Sequence, residues 1–291
     1  MVQKKVIFEK EGLAIVDAKH GYFLYNKNDL IIGKSLECYG EWCEAGLDLL
    51  LQCTNSGGTI LDVGANIGTH TVALARKVGA NGRVIAFEPQ RMIYQNLCAN
   101  VSLNRLTNVD CLQKGVGENN AVFPVPIADP ETRQNFGAFE IRGYKTGEPV
   151  KIITIDSLSL EACSLIKVDV EGMEKEVLAG AKDTIRQFRP LMFIENNNLD
   201  KSEELIGYIF AMNYVAWWVI ANYFRPSNFY ANEENVFSTS APSADLFCVP
   251  AEQPINITGL EPVRDATDNW LVAQERIVAK NKRDDAQNSK E

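Results

Sequence analysis

The sequence predicts an α/β fold: a seven-stranded, mostly parallel, doubly wound sheet of Rossmann-like type with one antiparallel edge strand. Three observations predict it. From residue 59 onward, short apolar segments alternate with longer segments of helical periodicity. A glycine turn joins the first apolar segment to a helix in residues 59–70, TILDVGANIGTH. The last two predicted strands are joined by a long loop and not by a helix, so we expect the final strand to be an antiparallel edge strand.

Residues 1–53 are expected to form a β-rich extension with a lead-in helix. Short alternating apolar runs, separated by charged or glycine-containing turns, are typical of β-hairpins. A helical pattern then precedes the break Thr54-Asn-Ser-Gly-Gly58. The apolar runs lie at residues 6–8, 13–16, 22–25 and 30–32, and the helical pattern lies at 44–53.

The Rossmann-like domain is predicted to span residues 54–250. A seven-stranded sheet with one reversed edge strand is the architecture of class I methyltransferases, which this domain therefore resembles. Its β insertion at 119–160 shows alternating Val, Phe and Ile. Residues 251–291 form a C-terminal extension, whose end from 274 onward is charged, poor in bulky apolar residues and expected to be disordered. The predicted core strands are 59–63, 84–87, 109–112, 165–168, 191–194, 214–220 and 245–249. The predicted core helices are 71–78, 92–103, 173–188 and 202–212.

Composition excludes several classes of function. The formal charge of −9 and the lack of a basic stripe argue against a nucleic-acid partner. The N-terminus lacks the apolar core of a signal peptide, and no segment reaches the roughly 18 apolar residues of a membrane span. The chain is therefore expected to be cytoplasmic. Its seven cysteines form no C-x-x-C pair, and with only two histidines a Cys/His zinc site is not expected.

The glycine turn and the following strand predict a nucleoside-binding site. The next strand ends at Glu88 and Pro89, and a carboxylate there can accept hydrogen bonds from both hydroxyls of a ribose. The turn lacks the central glycine that lets a dinucleotide's pyrophosphate approach, so it suits S-adenosylmethionine, the commonest nucleoside ligand without one. Asp62 is expected to hold the ligand's ammonium group. The other cofactor-binding residues predicted are Gly64, Ala65, Asn66, Gly68, Lys114 and Gly115.

Carboxylates follow the fourth and fifth core strands, at the edge where such sheets bind ligands. Asp169 is the leading candidate for a base that takes the proton of an attacking hydroxyl, and Glu171 and Glu195 support it. A Mg-type ion held by Asp169, Glu195 and Asn196 is a second interpretation. For Glu171 and for Glu174, a first-turn acid that complements a helix dipole is an equally good interpretation.

Other residues have two interpretations each. His70 follows the glycine turn and is expected near the cofactor and not as a base. Tyr39, Glu41 and Trp42 either close over the ligand or form a packed aromatic turn. The loop 222–230 is aromatic and polar, which suits stacking on a sugar ring or a lid.

Three segments resemble the FkbM family of S-adenosylmethionine-dependent methyltransferases. They are ILDVGANIG at 60–68, AFEP at 86–89, and IKVDVEGME at 166–174 with PLMFIE at 190–195. The resemblance implies methyl transfer to a hydroxyl of a sugar, a glycan or a natural product. Acceptor choice is expected to lie outside these motifs, in residues 1–33 and 198–291.

Two other functions stay open from the sequence. A nicotinamide-dependent oxidoreductase would share the fold but needs a pyrophosphate turn. A non-catalytic protein that binds the nucleoside and a partner protein is the other alternative, because fold does not fix function.

Overall fold

The computed structural model describes residues 6–253, 255 and 257–288. The chain first forms a small antiparallel sheet, then two helices, then a large mixed sheet with helices on both faces. The N-terminal strands are β1 Val6–Lys10, β2 Leu13–Ala18 and β3 Gly21–Asn26, followed by helices α1 Ile32–Tyr39 and α2 Glu44–Cys53.

The remaining elements alternate strands and helices for most of the chain. They are β4 Thr59–Val63, α3 Thr69–Val78, β5 Arg83–Phe87, α4 Arg91–Leu103, β6 Val109–Leu112, β7 Gly115–Val116, β8 Ala121–Val125, β9 Glu148–Ile153, a 3-10 turn Asp156–Leu158, β10 Leu165–Val168, α5 Glu174–Ala179, α6 Lys182–Phe188, β11 Leu191–Glu195, α7 Leu199–Ala211, β12 Tyr214–Ala221, β13 Ser243–Pro250, β14 Glu261–Pro262 and α8 Trp270–Asn288.

All seven predicted core strands are present in an eight-stranded sheet of order β14-β12-β13-β11-β10-β4-β5-β6. One prediction about this sheet was wrong. The final core strand, β13, does run antiparallel, but it lies between β11 and β12 and not at the edge. Every residue of β13 from Ala244 to Pro250 is buried, which an edge position could not provide. The two-residue strand β14 forms that edge instead.

The N-terminal sheet is held to the large domain through two asparagines of α4. The Asn100 side chain accepts from the Leu24 N–H at 2.6 Å and donates to the Leu24 carbonyl at 3.1 Å. Asn104 makes the same pair of bonds with Tyr22, at 3.0 and 2.7 Å. These side chains satisfy the free edge of β3, which would otherwise leave backbone groups unpaired.

Three local predictions were wrong. Residues 30–32 were expected to be a strand, but α1 begins at Ile32. The helix predicted at 173–188 is split between α5 and α6. At the break, a side chain on Gly180 would meet the carbonyl oxygen of Gly117 at 2.1 Å, and the Gly180 carbonyl accepts from Asp156 N. The backbone of the β insertion crosses at this point, and a continuous helix would block it.

The tail predicted to be disordered from residue 274 is helical through Asn288, and residues 289–291 lie outside the described residues. Arg276 anchors α8 by binding Asp268 at 2.7 Å and Glu261 at 2.5 Å. The insertion at 119–160 contributes β8 and β9, which form a three-stranded sheet with β7. Across the described ranges, the structure has no helix with both the length and the apolar character of a membrane span.

Candidate active site

Two adjoining cavities lie at the carboxyl ends of β4, β5 and β10. The first, here called the apolar cavity, has walls of Val116, Phe139, Ile141 and Val170. The second, here called the acidic cavity, is lined by polar residues that include His70, Glu195 and Asp245, and by three aromatic side chains. Five residues line both cavities and so form their junction: Gly64, Glu88, Gly137, Asp169 and Glu171.

Glycine at position 64 brings the ends of β4 and β10 together. Gly64 has φ of +80°, and a Cβ there would lie 1.7 Å from the Asp169 carbonyl oxygen. No residue with a side chain fits. The N–H groups of Gly64 and Ala65 donate to the Phe87 carbonyl of β5, so they hold the turn in place. Gly68 also has positive φ and caps α3, without lining either cavity.

Glu88 is buried at the junction of the cavities, with 4% of its surface exposed. One carboxylate oxygen accepts from the Asn66 N–H at 3.1 Å and the other accepts from the Gln90 N–H at 2.9 Å. Burial raises the pKa of Glu88 to about 7, against the lowering effect of these two backbone bonds. The carboxylate is therefore oriented by the backbone and faces the space shared by both cavities.

Lys167 is a buried cation beneath this junction that the sequence analysis did not single out. Its ammonium lies 3.0 Å from Asp62 Oδ1 and 3.6 Å from Asp169 Oδ2, and it donates to the Gly64 carbonyl at 3.0 Å. Burial alone would lower the pKa of Lys167, but the carboxylates of Asp62 and Asp169 raise it above its usual value. A lysine inside a four-residue buried strand was the available signal.

Asp62 was expected to hold a ligand's ammonium group, and the structure gives it other partners. Its carboxylate contacts Lys167 and accepts from the Thr71 hydroxyl at 2.6 Å. Asp62 is fully buried and lines neither cavity. Asp62 therefore positions Lys167 and the start of α3, and its binding of a ligand's ammonium group stays a prediction.

The three predicted catalytic carboxylates come together at the acidic cavity. Asp169 and Glu171 follow β10, and Glu195 ends β11. A fourth carboxylate, Asp245, joins them because β13 pairs it directly with Glu195. Burial raises the pKa of Asp245 to about 7, and burial followed by the charge of Asp169 raises that of Glu171 to about 7. Burial and the neighbouring carboxylates raise the pKa of Glu195 well above its ordinary value.

Glu171 and Glu195 differ from Glu174 in their surroundings. Glu195 accepts from the Asn197 side chain at 2.7 Å through Oε1, while its buried Oε2 has no hydrogen-bond partner. Glu174 accepts from the Gly172 N–H at 2.9 Å and lines neither cavity. For Glu174 the structure therefore favours the structural interpretation, whereas Glu171 lines both cavities.

The described residues do not form the set of metal ligands that the sequence suggested. Asn196 is buried and donates to the Ser202 hydroxyl at 3.0 Å, away from the cavities. Among the described residues, no three His, Cys, Asp or Glu side chains are grouped to hold a metal ion. The site proposed from Asp169, Glu195 and Asn196 is therefore not formed.

The remaining predicted residues divide by cavity. Pro89, Lys114 and Gly115 line the apolar cavity, and Ala65 and Asn66 line the acidic cavity. His70 lines the acidic cavity, where burial and then Lys167 lower its pKa to about 4, so its imidazole is neutral at pH 7. Its Nε2 is buried and has no hydrogen-bond partner.

The segment 39–42 forms a packed aromatic turn and also contributes Trp42 to a cavity wall. Tyr39 is packed against Phe224 and Phe237, and its hydroxyl donates to the Glu234 carbonyl at 3.0 Å. Trp42 lines the acidic cavity and stacks on Tyr223, with ring centroids 4.8 Å apart and planes 24° apart.

Gln90 is a cavity residue that the sequence analysis missed. Its amide nitrogen donates to the Phe136 carbonyl at 2.8 Å, and its buried Oε1 has no hydrogen-bond partner. It lines the apolar cavity beside Phe139 and Ile141, which come from the β insertion. Its place two residues after Glu88 was the only local signal.

Comparisons with known proteins point to methyltransferases. The family model described as the methyltransferase FkbM domain matches residues 62–216, more than half of the 291 residues. The chain is 30% identical over 157 residues to methyltransferase sdnD of Sordaria araneosa, covering 43% of this chain and 60% of that protein. It is 29% identical over 143 residues to hexuronic acid methyltransferase AglP of Haloferax volcanii, covering 47% and 56%.

A solved structure named methyltransferase FkbM, from Methylobacillus flagellatus KT, aligns with a TM-score of 0.46 and 20% identity. That alignment covers 67% of this chain and 44% of the other. This chain spans less than two thirds of the length of the curated relatives that it matches.

Proposed function

The chain belongs to the FkbM methyltransferase family, and from this membership and the two cavities we propose an S-adenosylmethionine-dependent O-methyltransferase. The proposed acceptor is a hydroxyl group of a sugar, a glycan or a natural product. One relative is named for a hexuronic acid, which supports a sugar among these acceptors. The single observation that carries the proposal is the buried Glu88 carboxylate at the junction of an apolar and an acidic cavity.

The residues of the apolar cavity fit the nucleoside part of this cofactor. Aliphatic and aromatic walls suit the faces of an adenine ring. The unpartnered Gln90 Oε1 is a buried acceptor that would bind a donor such as an exocyclic amine, and leaving it unpaired costs free energy. Glu88, fixed by two backbone N–H groups, would accept from the ribose hydroxyls.

The acidic cavity would then receive the methionine part of the cofactor and the acceptor. The bound cofactor supplies a methyl group on a sulfonium, which an oxygen nucleophile can attack. Asp169 lines both cavities, and its side chain is 43% exposed, so an acceptor hydroxyl can reach it. We assign Asp169 as the group that takes the hydroxyl's proton, with Glu171 and Glu195 beside it.

Lys167 fixes the position of this base. Its ammonium contacts Asp169 and the Gly64 carbonyl together, so it ties the proposed base to the turn of the cofactor site. The pKa of Glu171, raised to about 7 by burial and by Asp169, makes this side chain a second group able to hold a proton near neutral pH.

The proposal is tested by incubating the protein with methyl-labelled S-adenosylmethionine and a panel of hydroxylated acceptors. We expect label in an alkali-stable O-methyl product, located by mass spectrometry, and loss of transfer in Asp169→Asn. Label on nitrogen or carbon would contradict oxygen as the acceptor atom. Cofactor binding without transfer to any acceptor would favour the non-catalytic alternative.

A further inference from the structure

The acidic cavity carries a charge pattern that constrains the acceptor. Besides Glu88, four carboxylates line it, and they come from three neighbouring strands: Asp169 and Glu171 follow β10, Glu195 ends β11, and Asp245 lies in β13. Glu195 and Asp245 stand directly opposite each other in the antiparallel ladder. Like charges in that position destabilise a sheet, so a ligand that donates hydrogen bonds or carries positive charge would relieve them.

The cavity has no spare cation to balance these groups. Lys167 is the one basic side chain among the described lining residues besides the neutral His70, and Asp62, Asp169 and the Gly64 carbonyl already bind it. The neighbouring Arg225 is held outside the cavity, where it binds Glu41 at 2.5 and 3.0 Å and Asp48 at 3.2 Å. The cavity therefore offers no free side-chain cation to a carboxylate on the acceptor.

Two buried atoms in the cavity point to a ligand independently of its charge. His70 is 7% exposed and its Nε2 lacks a partner, as does Oε2 of Glu195. Buried polar atoms are nearly always hydrogen-bonded, so each of these two marks a place for a ligand's hydroxyl or amino group. The neutral imidazole can either accept from a hydroxyl or donate to it.

The stacked pair of Trp42 and Tyr223 supplies an apolar wall to the same cavity. Aromatic faces bind the apolar face of a sugar ring and attract ammonium groups. Hydrogen-bonding acids beside an aromatic wall therefore suit a polyhydroxylated ring, and an amino group on that ring would be favoured further.

Resting on the proposed function, we propose that the acidic cavity selects an uncharged sugar or amino sugar and discriminates against sugar acids. The discrimination comes from repulsion by Asp169, Glu171 and Asp245 and from the lack of a free side-chain cation. The chain would then differ in acceptor from the relative named for a hexuronic acid. One positive charge on the bound cofactor would offset one carboxylate and leave the others.

The test compares three matched acceptors on the full chain: methyl glucoside, methyl glucosaminide and methyl glucuronide. Calorimetry with the protein saturated in S-adenosylhomocysteine measures binding, and labelled donor measures kcat/KM, both near pH 8, where Asp245 and Glu171 are ionised. We expect the affinity and the kcat/KM for the glucoside and for the glucosaminide to exceed those for the glucuronide by about a hundredfold or more. In Asp245→Asn, this ratio between acceptors should be smaller by about tenfold.

The control variant is Glu203→Gln, which removes one carboxylate from an exposed position on α7. It should leave the ratio unchanged, since distant surface charges are screened by salt. Equal or tighter binding of the glucuronide, or binding of none of the three, would overturn the inference. Failure of the proposed function is distinguishable, because the protein would then not bind S-adenosylhomocysteine in the first titration.

Discussion

The two cavities differ in how their polar groups are satisfied. At the apolar cavity, the Glu88 carboxylate is held by the backbone N–H groups of Gln90, two residues away, and of Asn66 in the glycine turn. In the acidic cavity, Glu195 and Asp245 meet only because β13 pairs with β11, and Glu195 keeps an unpartnered oxygen. The carboxylate of Glu88 is therefore preorganised by the backbone, whereas that of Glu195 leaves an oxygen for a ligand to bind.

Under the proposed function, this difference would separate recognition of the cofactor from recognition of the acceptor. Substitutions in the apolar cavity should change cofactor affinity, and those in the acidic cavity should change turnover and acceptor choice. Lys167 contacts Asp169 and Gly64, which belong to both cavities, so its loss should affect the whole site.

The largest effect is expected for Lys167→Met. Removing this buried ammonium leaves the carboxylate of Asp62 buried without its partner, which should lower the free energy of unfolding by about 3–5 kcal/mol. Urea denaturation measures the change. The double variant Lys167→Met/Asp62→Asn should recover part of the loss, and Lys175→Met, at a surface lysine paired with Glu204, should change stability little. A small loss in Lys167→Met would mean that water or a neighbouring group satisfies Asp62.

Asp169→Asn should lower turnover by about a hundredfold or more, as expected when a base is lost, and should change cofactor affinity by no more than a few fold. Single-turnover kinetics with labelled donor and calorimetry with S-adenosylhomocysteine measure the two quantities. Asp183→Asn, at an exposed position of α6, serves as the control. Near-normal turnover in Asp169→Asn would show that Asp169 is not the catalytic base.

Glu88→Ala should weaken binding of S-adenosylhomocysteine by about 1–3 kcal/mol, because charge-assisted bonds to the ribose are lost. Acceptor affinity should stay the same if the cavities are separate in function. The exposed Glu118 provides the matched control, Glu118→Ala. Unchanged affinity in Glu88→Ala would place the nucleoside elsewhere.

The smallest effect concerns stability and pH. The pKa of Asp245 is raised to about 7 by burial, so the folded state holds its proton where the unfolded state has lost it. The contribution of Asp245 to the free energy of unfolding is therefore present at low pH and is lost as the pH rises through about 7. Between about pH 6 and about pH 8, the free energy of unfolding of Asp245→Asn should rise by about 1 kcal/mol relative to that of the parent protein, with both proteins free of ligand. Parallel denaturation curves at the two pH values would show the gain, and an equal difference at both would mean that Asp245 is ionised throughout.

The parts of the site predicted from sequence are those made by contiguous segments. The glycine turn, Glu88 and the acids after β10 follow from local strand, turn and helix patterns. Of the residues predicted as catalytic or cofactor-binding, all but Asp62 and Gly68 line a cavity. The ion pair of Asp62 with Lys167 was not predicted, because Lys167 lies on another strand.

The parts that could not be predicted depend on long-range pairing. Asp245 reaches the site only through the interior position of β13, which local periodicity does not encode. Phe139 reaches the apolar cavity from the β insertion, where no strand pattern indicated its direction. The break between α5 and α6 depends on contact with Gly117, more than fifty residues away in the chain.

The central claim is that the two cavities hold S-adenosylmethionine and its acceptor. The most direct measurement is calorimetric titration of the purified protein with S-adenosylhomocysteine and, separately, with NADH. The account predicts one-to-one binding of S-adenosylhomocysteine, weakened in Glu88→Ala, and no binding of NADH. Binding of NADH alone would contradict it and would identify the turn at Gly64 as part of an oxidoreductase site.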